Sequence, residues 1–368
     1  MNLSKHIEHK ELISLVNTKD VTMNLSKHVE HKDISNKTIL LTGGLGYIGS
    51  HIIVELLEND KDYNIVIIDN LANTSLNKLD KIESLIDYRK NENISFYQID
   101  LLDINKVDKV FENNKIDIVI HLAGLKSVGE SVCNPIYYYE TNLLSTINLI
   151  KVMEKYNCKN LIFSSSATVY GNQNVPYKED MNTGNGITNP YGKSKHMQEE
   201  FLKDLYTSNN DWNIIILRYF NPISQKCELL KETPNGIPNN LFPYLIKVYN
   251  EELPILNIFG NDYNTVDGTC VRDFIHVVDL AQGHISACNY IFQNSKCGLK
   301  IYNLGSGKGI SVKELIDAFE KVNETKLNYT YCNRRNGDLA ESYANVFLAE
   351  KELNWKTKKD IYDMVKLL

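Results

Sequence analysis

An eight-residue turn, Thr42-Gly43-Gly44-Leu45-Gly46-Tyr47-Ile48-Gly49, constrains this chain more than any other feature. The apolar run Thr38-Ile39-Leu40-Leu41 precedes it and a helical pattern follows. A strand that turns sharply into a helix aims free backbone N–H groups and the positive end of a helix dipole at one point. A pyrophosphate is the usual occupant. Gly43 permits the tight turn, Gly46 lets the backbone approach phosphate, and Gly49 lets the helix pack on the sheet. The segment therefore predicts a dinucleotide site in which the backbone from Gly43 through Tyr47, Ile48 and Gly49 cradles the diphosphate. Asp69, twenty residues past Gly49, ends a second apolar run, Asn64-Ile65-Val66-Ile67-Ile68. A carboxylate there accepts from ribose hydroxyls and repels a 2′-phosphate, which favours NAD over NADP. Asn70, Leu71 and Asn73 lie alongside, and no Arg follows to receive a phosphate.

Further strand-like runs fall at 94–99, 116–122, 160–164 and 213–219, with helical patterns near 47–58, 75–89, 103–114, 136–156 and 190–208. Ile/Val-rich strands separated by crossover-length helices predict an α/β fold: a doubly wound, Rossmann-type parallel sheet covered on both faces. Past residue 220 the rhythm breaks into clusters of Pro, Gly and Asn and shorter elements. The expected division is an NAD-binding domain over 37–220 and a smaller mixed α/β substrate domain over 221–368, interleaved with the end of the sheet.

The 368 residues carry a net charge of −6 without a basic block, so neither nucleic acid nor an anionic membrane is an expected partner. No apolar run reaches membrane-spanning length. Seven scattered cysteines without a C-x-x-C spacing predict free thiols in a reducing, cytoplasmic setting. Residues 1–10 recur almost unchanged as 23–32, and carry two His-x-x-His pairs. With no further ligands in view, residues 1–36 read as a polar extension, and no metal site is assigned.

Tyr191-Gly192-Lys193-Ser194-Lys195 begins a helix after Asn189-Pro190. Tyr191 and Lys195, at i and i+4, share a face. A free tyrosine, with a pKa near 10, is a poor base at neutral pH. A neighbouring ammonium and a cationic nicotinamide favour its phenolate. The strand Asn160-Leu161-Ile162-Phe163 runs into Ser164-Ser165-Ser166-Ala167-Thr168, at the strand end where ligands bind in open α/β sheets. Ser166 is the expected hydroxyl partner of the substrate oxygen, with Thr168 as helper.

Together these segments resemble the extended short-chain dehydrogenase/reductase family and, within it, the UDP-glucose 4-epimerases. The likeness runs from about residue 38 to 355 through Ala123 to Ser131, Ser164 to Gly171, Asn189 to Lys195, Leu217 to Pro222, Gly236 to Leu241, Phe259 to Tyr263, Val271 to Asp273 and Tyr302 to Gly305. It implies that Tyr191 takes the proton of the sugar 4-hydroxyl while NAD accepts hydride from C4, and that a 4-keto intermediate turns over before reduction. Lys126, Asn142, Lys195, Tyr219 and Phe220 would line the cofactor with Leu122; Asp100 and Leu101 would lie beside the adenine. Asn221, Asn239, Asn240 and Leu241 would hold sugar and phosphate, and Asn257 and Phe259 the uracil. Arg272 and Arg335 would clamp the diphosphate and Asp338 the uridine ribose. Ser342 falls where the family varies between Tyr and a small residue beside sugar C2, which implies room for an N-acetyl group. A homodimer through helices 75–89 and 136–156 is also implied.

Three departures stand out. Segment 223–233 lacks the family's Gly/His/Ser-rich character, which leaves the loop near the substrate undetermined. Leu122 stands where Phe is common. The chain ends without the usual Trp-containing tail, so the last helix is expected to dock less firmly. A 4,6-dehydratase or reductase on this fold is the nearest alternative, but its acidic pair would stand at Ala167 and Thr168. A non-catalytic NAD-sensing protein would need neither Tyr191 and Lys195 nor the diphosphate arginines.

Overall fold

The computed structural model describes residues 37–58, 63–86, 93–232, 238, 240–335 and 337–367. The duplicated N-terminal segment and Asn239 lie outside them. Strands β1 (Thr38–Thr42), β2 (Asn64–Asp69), β3 (Ile94–Gln98), β4 (Ile118–His121), β5 (Asn160–Ser166) and β6 (Asn213–Tyr219) follow the apolar runs. Between them come α1 (Tyr47–Glu58), α2 (Asn77–Leu85), α3 (Ile104–Asn113), the short α4 (Val128–Cys133), α5 (Pro135–Lys155) and α6 (Pro190–Ser208). All pair in parallel, in the order β3-β2-β1-β4-β5-β6. The order reverses between β1 and β4, and ligands of doubly wound sheets bind at such a switch point.

Successive strand residues face opposite layers, which explains the continuous apolar runs. Ile39, Leu41, Ile65, Ile67 and Ile118 pack with Ile52, Ile53 and Leu56 of α1. Leu40, Val66, Ile68, Val119 and Phe163 pack with Val107 of α3, Leu149 and Met153 of α5 and Leu202 of α6.

The chain then leaves the sheet through β7 (Asn221–Ile223), α7 (Leu241–Tyr249), β8 (Leu256–Phe259), β9 (Val271–Arg272) and β10 (Phe274–His276), and returns through α8 (Val277–Gln293). Strand β11 (Leu299–Leu304) completes the sheet as a seventh strand beside β6. The remaining elements are β12 (Ile310–Ser311), α9 (Val312–Val322), β13 (Tyr329–Cys332), β14 (Glu341–Ser342), α10 (Phe347–Leu353) and α11 (Ile361–Val365). A separate core of Phe242, Leu245, Leu256, Ile258, Leu315, Phe319, Met364 and Val365 holds the smaller C-terminal part together. The weak docking expected of the last helix is corrected here. Met364 and Val365 are 1% and 0% exposed. Asn323 also clamps the helix end, donating to Val365 O at 2.9 Å and accepting from Leu367 N at 3.1 Å.

Four histidines are buried within this architecture. His121 bridges Thr42 and Thr146 at 2.7 and 2.8 Å, tying β1, β4 and α5 together. Burial pushes His121 down to about 3, and His51, His276 and His284 down to about 4. Each stays neutral in the fold but takes a proton near pH 6.5 once the chain unfolds. Their contribution is therefore complete above about pH 6.5 and is lost as pH falls toward 4. We expect the melting temperature to drop by roughly 10 °C between pH 7 and pH 5, since each unfolded imidazole protonated at pH 5 costs up to about 2 kcal/mol. A scan by circular dichroism that stayed flat over that interval would show these side chains to be hydrated in the fold.

Candidate active site

The turn after β1 is as tight as its glycines require. Gly43 sits at φ +68°, and a Cβ there would meet Ala123 N at 2.9 Å. A Cβ on Gly49 would lie 2.6 Å from Gly43 O, so the first turn of α1 packs directly on the loop. Gly46 N donates to Gly43 O at 3.1 Å. Asp69, 6% exposed, braces this turn: Oδ2 accepts from Leu45 N at 3.1 Å and Oδ1 from Leu71 N at 2.9 Å. Burial raises its carboxyl and the two backbone bonds oppose that shift. Each oxygen keeps capacity for a ribose hydroxyl. Asn70 donates to Asp100 at 3.0 Å, which joins the ends of β2 and β3. Asn73 is exposed, Leu101 is buried, and Leu122 packs beneath the turn on the α1 side of the sheet. A compact glycine turn, a braced carboxylate and the switch point together fit a dinucleotide.

At the far side of the switch point, three consecutive serines of β5 meet three turns of α6. Asn189 caps α6 by accepting from Gly192 N at 2.8 Å, and Pro190 starts the helix with its φ already set. Ser166 stands beside the Tyr191 phenol, and both line one cavity. Its Oγ accepts from Thr168 N at 3.2 Å and Thr168 Oγ1 at 2.9 Å, leaving the serine proton for an oxygen in that cavity. Lys195, 4% exposed, donates from Nζ to Ser164 O at 2.8 Å and lies 4.9 Å over the Phe163 ring. Ser165 donates to Glu199 at 2.5 Å, and Glu199 takes Arg218 in a bidentate pair at 3.0 and 2.7 Å.

Burial pushes the Tyr191 phenol up and the neighbouring Ser166 hydroxyl opposes it. Burial pulls Lys195 down to about 8, while the Glu199 carboxylate works against that. Lys195 is thus a cation at neutral pH and loses charge above about pH 8.

Tyr47, Ile48, Lys126, Ser166, Thr168, Tyr191, Tyr219, Phe220 and Asn221 line a single cavity of about 550 Å³ with Asn240, Leu241, Asn257, Phe259, Arg272, Arg335, Asp338 and Ser342. Such a volume suits a sugar nucleotide. Asn240 sits at the N-cap of α7 without spending its side chain on a capping bond. Asn257 and Phe259 project from β8, and the Arg335 guanidinium stacks 4.4 Å over the Phe259 ring. Arg272 is held by the carbonyls of Val271 and Leu339, both at 2.8 Å, with Asp338 at 3.8 Å. Strand β14 pairs with β9 so that Ser342 lies opposite Arg272, beside the Tyr177 phenol, which donates to Gly171 O at 3.3 Å.

Some assigned residues are already occupied. Asn142 is fully buried; it accepts from Leu125 N at 2.8 Å and donates to Leu125 O and Ser194 Oγ, so it shapes the loop after β4. Tyr219 is bonded to His284. Lys126 pairs with Glu232 at 2.7 Å. Sequence reasoning passed over Glu232, which lines the cavity from the divergent segment, and the wall formed by Gly186, Ile187 and Thr188. The glycine pair in Gly184-Asn185-Gly186, both at positive φ in the fold, was the signal available in the sequence.

Residues 39–305 match the NAD dependent epimerase/dehydratase family. The chain is 48% identical over 328 residues to a UDP-glucose 4-epimerase of Bacillus subtilis, covering 89% of this chain and 94% of that one. The UDP-glucose 4-epimerase of Bifidobacterium longum in complex with NAD+ and UDP superposes with a TM-score of 0.84 at 46% identity, over 89% of this chain and 96% of that one. The UDP-Glc/GlcNAc 4-epimerase of Campylobacter jejuni superposes at 0.76 with 33% identity, over 90% and 98%. The seven-stranded switch-point sheet, the braced glycine turn and these likenesses place the chain in the NAD-dependent epimerase/dehydratase family of extended short-chain dehydrogenases/reductases.

Proposed function

We propose that this protein is a UDP-glucose 4-epimerase: it interconverts UDP-galactose and UDP-glucose with NAD held through the cycle, and also UDP-GalNAc and UDP-GlcNAc. The observation that carries the reading is one cavity with an acid–base group at one end and an anion- and base-binding end opposite. Tyr191 and Ser166 supply the first; Arg272, Arg335, Asn257 and Phe259 supply the second.

Bound NAD supplies the hydride acceptor and donor at C4, and its positive ring favours the Tyr191 phenolate. Gly43 to Gly49 and Asp69 would hold that cofactor, and the Lys195 ammonium, one helical turn from Tyr191, would help to orient it. Tyr191 accepts the proton of the 4-hydroxyl and, once the keto sugar has turned and hydride returns to the opposite face of C4, gives that proton back to the 4-oxygen, with the Ser166 hydroxyl beside it. Arg272 and Arg335 anchor the diphosphate, so the sugar alone turns over. No second acidic pair is needed, which separates this chemistry from 4,6-dehydration.

The test is purified protein with UDP-galactose and no added NAD. UDP-glucose should form, and the supernatant of denatured protein should contain NAD. A 4-keto-6-deoxy product, or no conversion with NAD present, would overturn the assignment.

The protein is a cytoplasmic homodimer in this reading. Its support is apolar surface on α4 and α5, where Val132, Ile136 and Tyr137 are 59%, 80% and 50% exposed, together with Leu144. Helix α2 offers less, with Leu76 beside it the exposed large apolar residue. Sedimentation should give twice the chain mass, and Ile136→Glu should halve it. A parent that sediments as a monomer at micromolar concentration would refute the dimer.

A further inference from the structure

Segment 224–232 lies within the stretch that departs from the family pattern. It runs back along α1, from Tyr47 at the end of the glycine motif to Glu58. Ser224 sits at φ +71°, a backbone region costly for serine, and its carbonyl accepts from the Tyr47 phenol at 2.5 Å. Lys226 N donates to His51 Nε2 at 3.1 Å, and its ammonium bridges Glu55 at 2.7 Å and Glu58. Lys78 of α2 donates to Lys231 O at 3.1 Å. Glu232 closes the path, pairing with Lys126 beyond β4. Three elements that flank the dinucleotide groove (α1, α2 and the loop after β4) are thereby joined by one segment.

We propose that residues 224–232 form a clasp that retains NAD, with Lys226 anchoring it to α1 and Glu232 closing it on Lys126. Epimerisation returns its hydride in every cycle, so a cofactor that leaves midway carries off the electrons that the keto sugar needs. Retention is therefore a requirement of the reaction, and an open groove does not meet it. The glycine turn and Asp69 hold the cofactor from below, whereas Lys226 and Glu232 act on its exit. They are positioning residues and take no part in the proton transfers. Isolated exposed ion pairs contribute little, but Glu55 is 8% and Glu232 15% exposed at the side chain, and the bonds must break together for the clasp to open.

The test uses the full chain as purified with its NAD. After rapid desalting, bound NAD is followed over time by mass spectrometry in the parent, Lys226→Ala, Glu232→Gln and Lys231→Ala. The Lys231 side chain pairs with Glu228 inside the segment, so it serves as the control. Lys226→Ala and Glu232→Gln should each release NAD about tenfold faster, the effect of losing one charge-assisted bond on the exit path. Lys231→Ala should match the parent. Added NAD should restore turnover, the KM for UDP-galactose should hold in Lys226→Ala, which lies outside the cavity, and stripped variants should melt with the stripped parent. Parent-like retention in both clasp variants overturns the proposal. So does equal release from Lys231→Ala, or turnover that added NAD does not restore. Cofactor content is read directly, so a failure of the sugar assignment would leave this result distinct.

Discussion

Tyr191→Phe should cut turnover of UDP-galactose by about 10²–10⁴-fold, the usual worth of a positioned acid–base group. The ring is needed for packing and Phe preserves it; only the phenol oxygen is lost. That oxygen lies beside Ser166 in the cavity lining, on the helix face that also carries Lys195. Ser166 cannot replace it, because its Oγ already accepts two bonds from Thr168 and an alcohol is a far weaker acid than a phenol. In the proposed site UDP is held by Arg272, Arg335, Asn257 and Phe259 and not by the Tyr191 oxygen, so its affinity by calorimetry should stay within about twofold. A coupled assay for UDP-glucose reads the rate. If the variant kept more than about a tenth of it, Tyr191 would not be the base.

Local features made this site legible in the sequence. The glycine turn, Asp69 at a strand end, Tyr191 and Lys195 at helical spacing, and the serines ending β5 each announce themselves within a few residues. What stayed hidden depends on contacts between distant segments. Strand β11 belongs to the sheet, but about eighty residues separate it from β6, mostly short elements ahead of helix α8, and the strand–helix rhythm is lost across that gap. The Ser165–Glu199–Arg218 arrangement joins three elements, yet one trace of it was visible. Arg218 is a charge inside the apolar strand Asn213–Tyr219, and a charge buried to 1% exposure demands a partner. Asn142 was assigned to the cofactor because its type and place fit; only the fold shows its amide spent on Leu125 and Ser194. Lys126 was assigned likewise, and its partner Glu232 lies in segment 223–233, where the family likeness fails.

Ser342→Tyr should separate the two substrate classes. Strand β14 sets Ser342 opposite Arg272, so its side chain borders the cavity next to the proposed diphosphate clamp. Beside it stands Tyr177, which is fully buried, donates its phenol to Gly171 O at 3.3 Å and stacks at 4.8 Å on Tyr170. What Ser342 contributes to the wall is space. A tyrosine could not retreat toward Tyr177, because that side is packed, and its ring would extend into the cavity where the C2 substituent lies. A hydroxyl at C2 tolerates the intrusion; an N-acetyl group meets the ring directly, and overlap in a rigid wall is far costlier than a lost contact. We expect the UDP-GalNAc to UDP-GlcNAc reaction to fall by at least about 10²-fold, a discrimination of the size that steric exclusion supports. UDP-galactose turnover should stay within about threefold. Both substrates are measured on the same preparation by chromatography of the nucleotide sugars. Equal loss of both would mean that the ring had displaced Arg272 and damaged the site generally, and a parent inactive on the acetylated pair would mean that the space beside Ser342 is not where C2 lies.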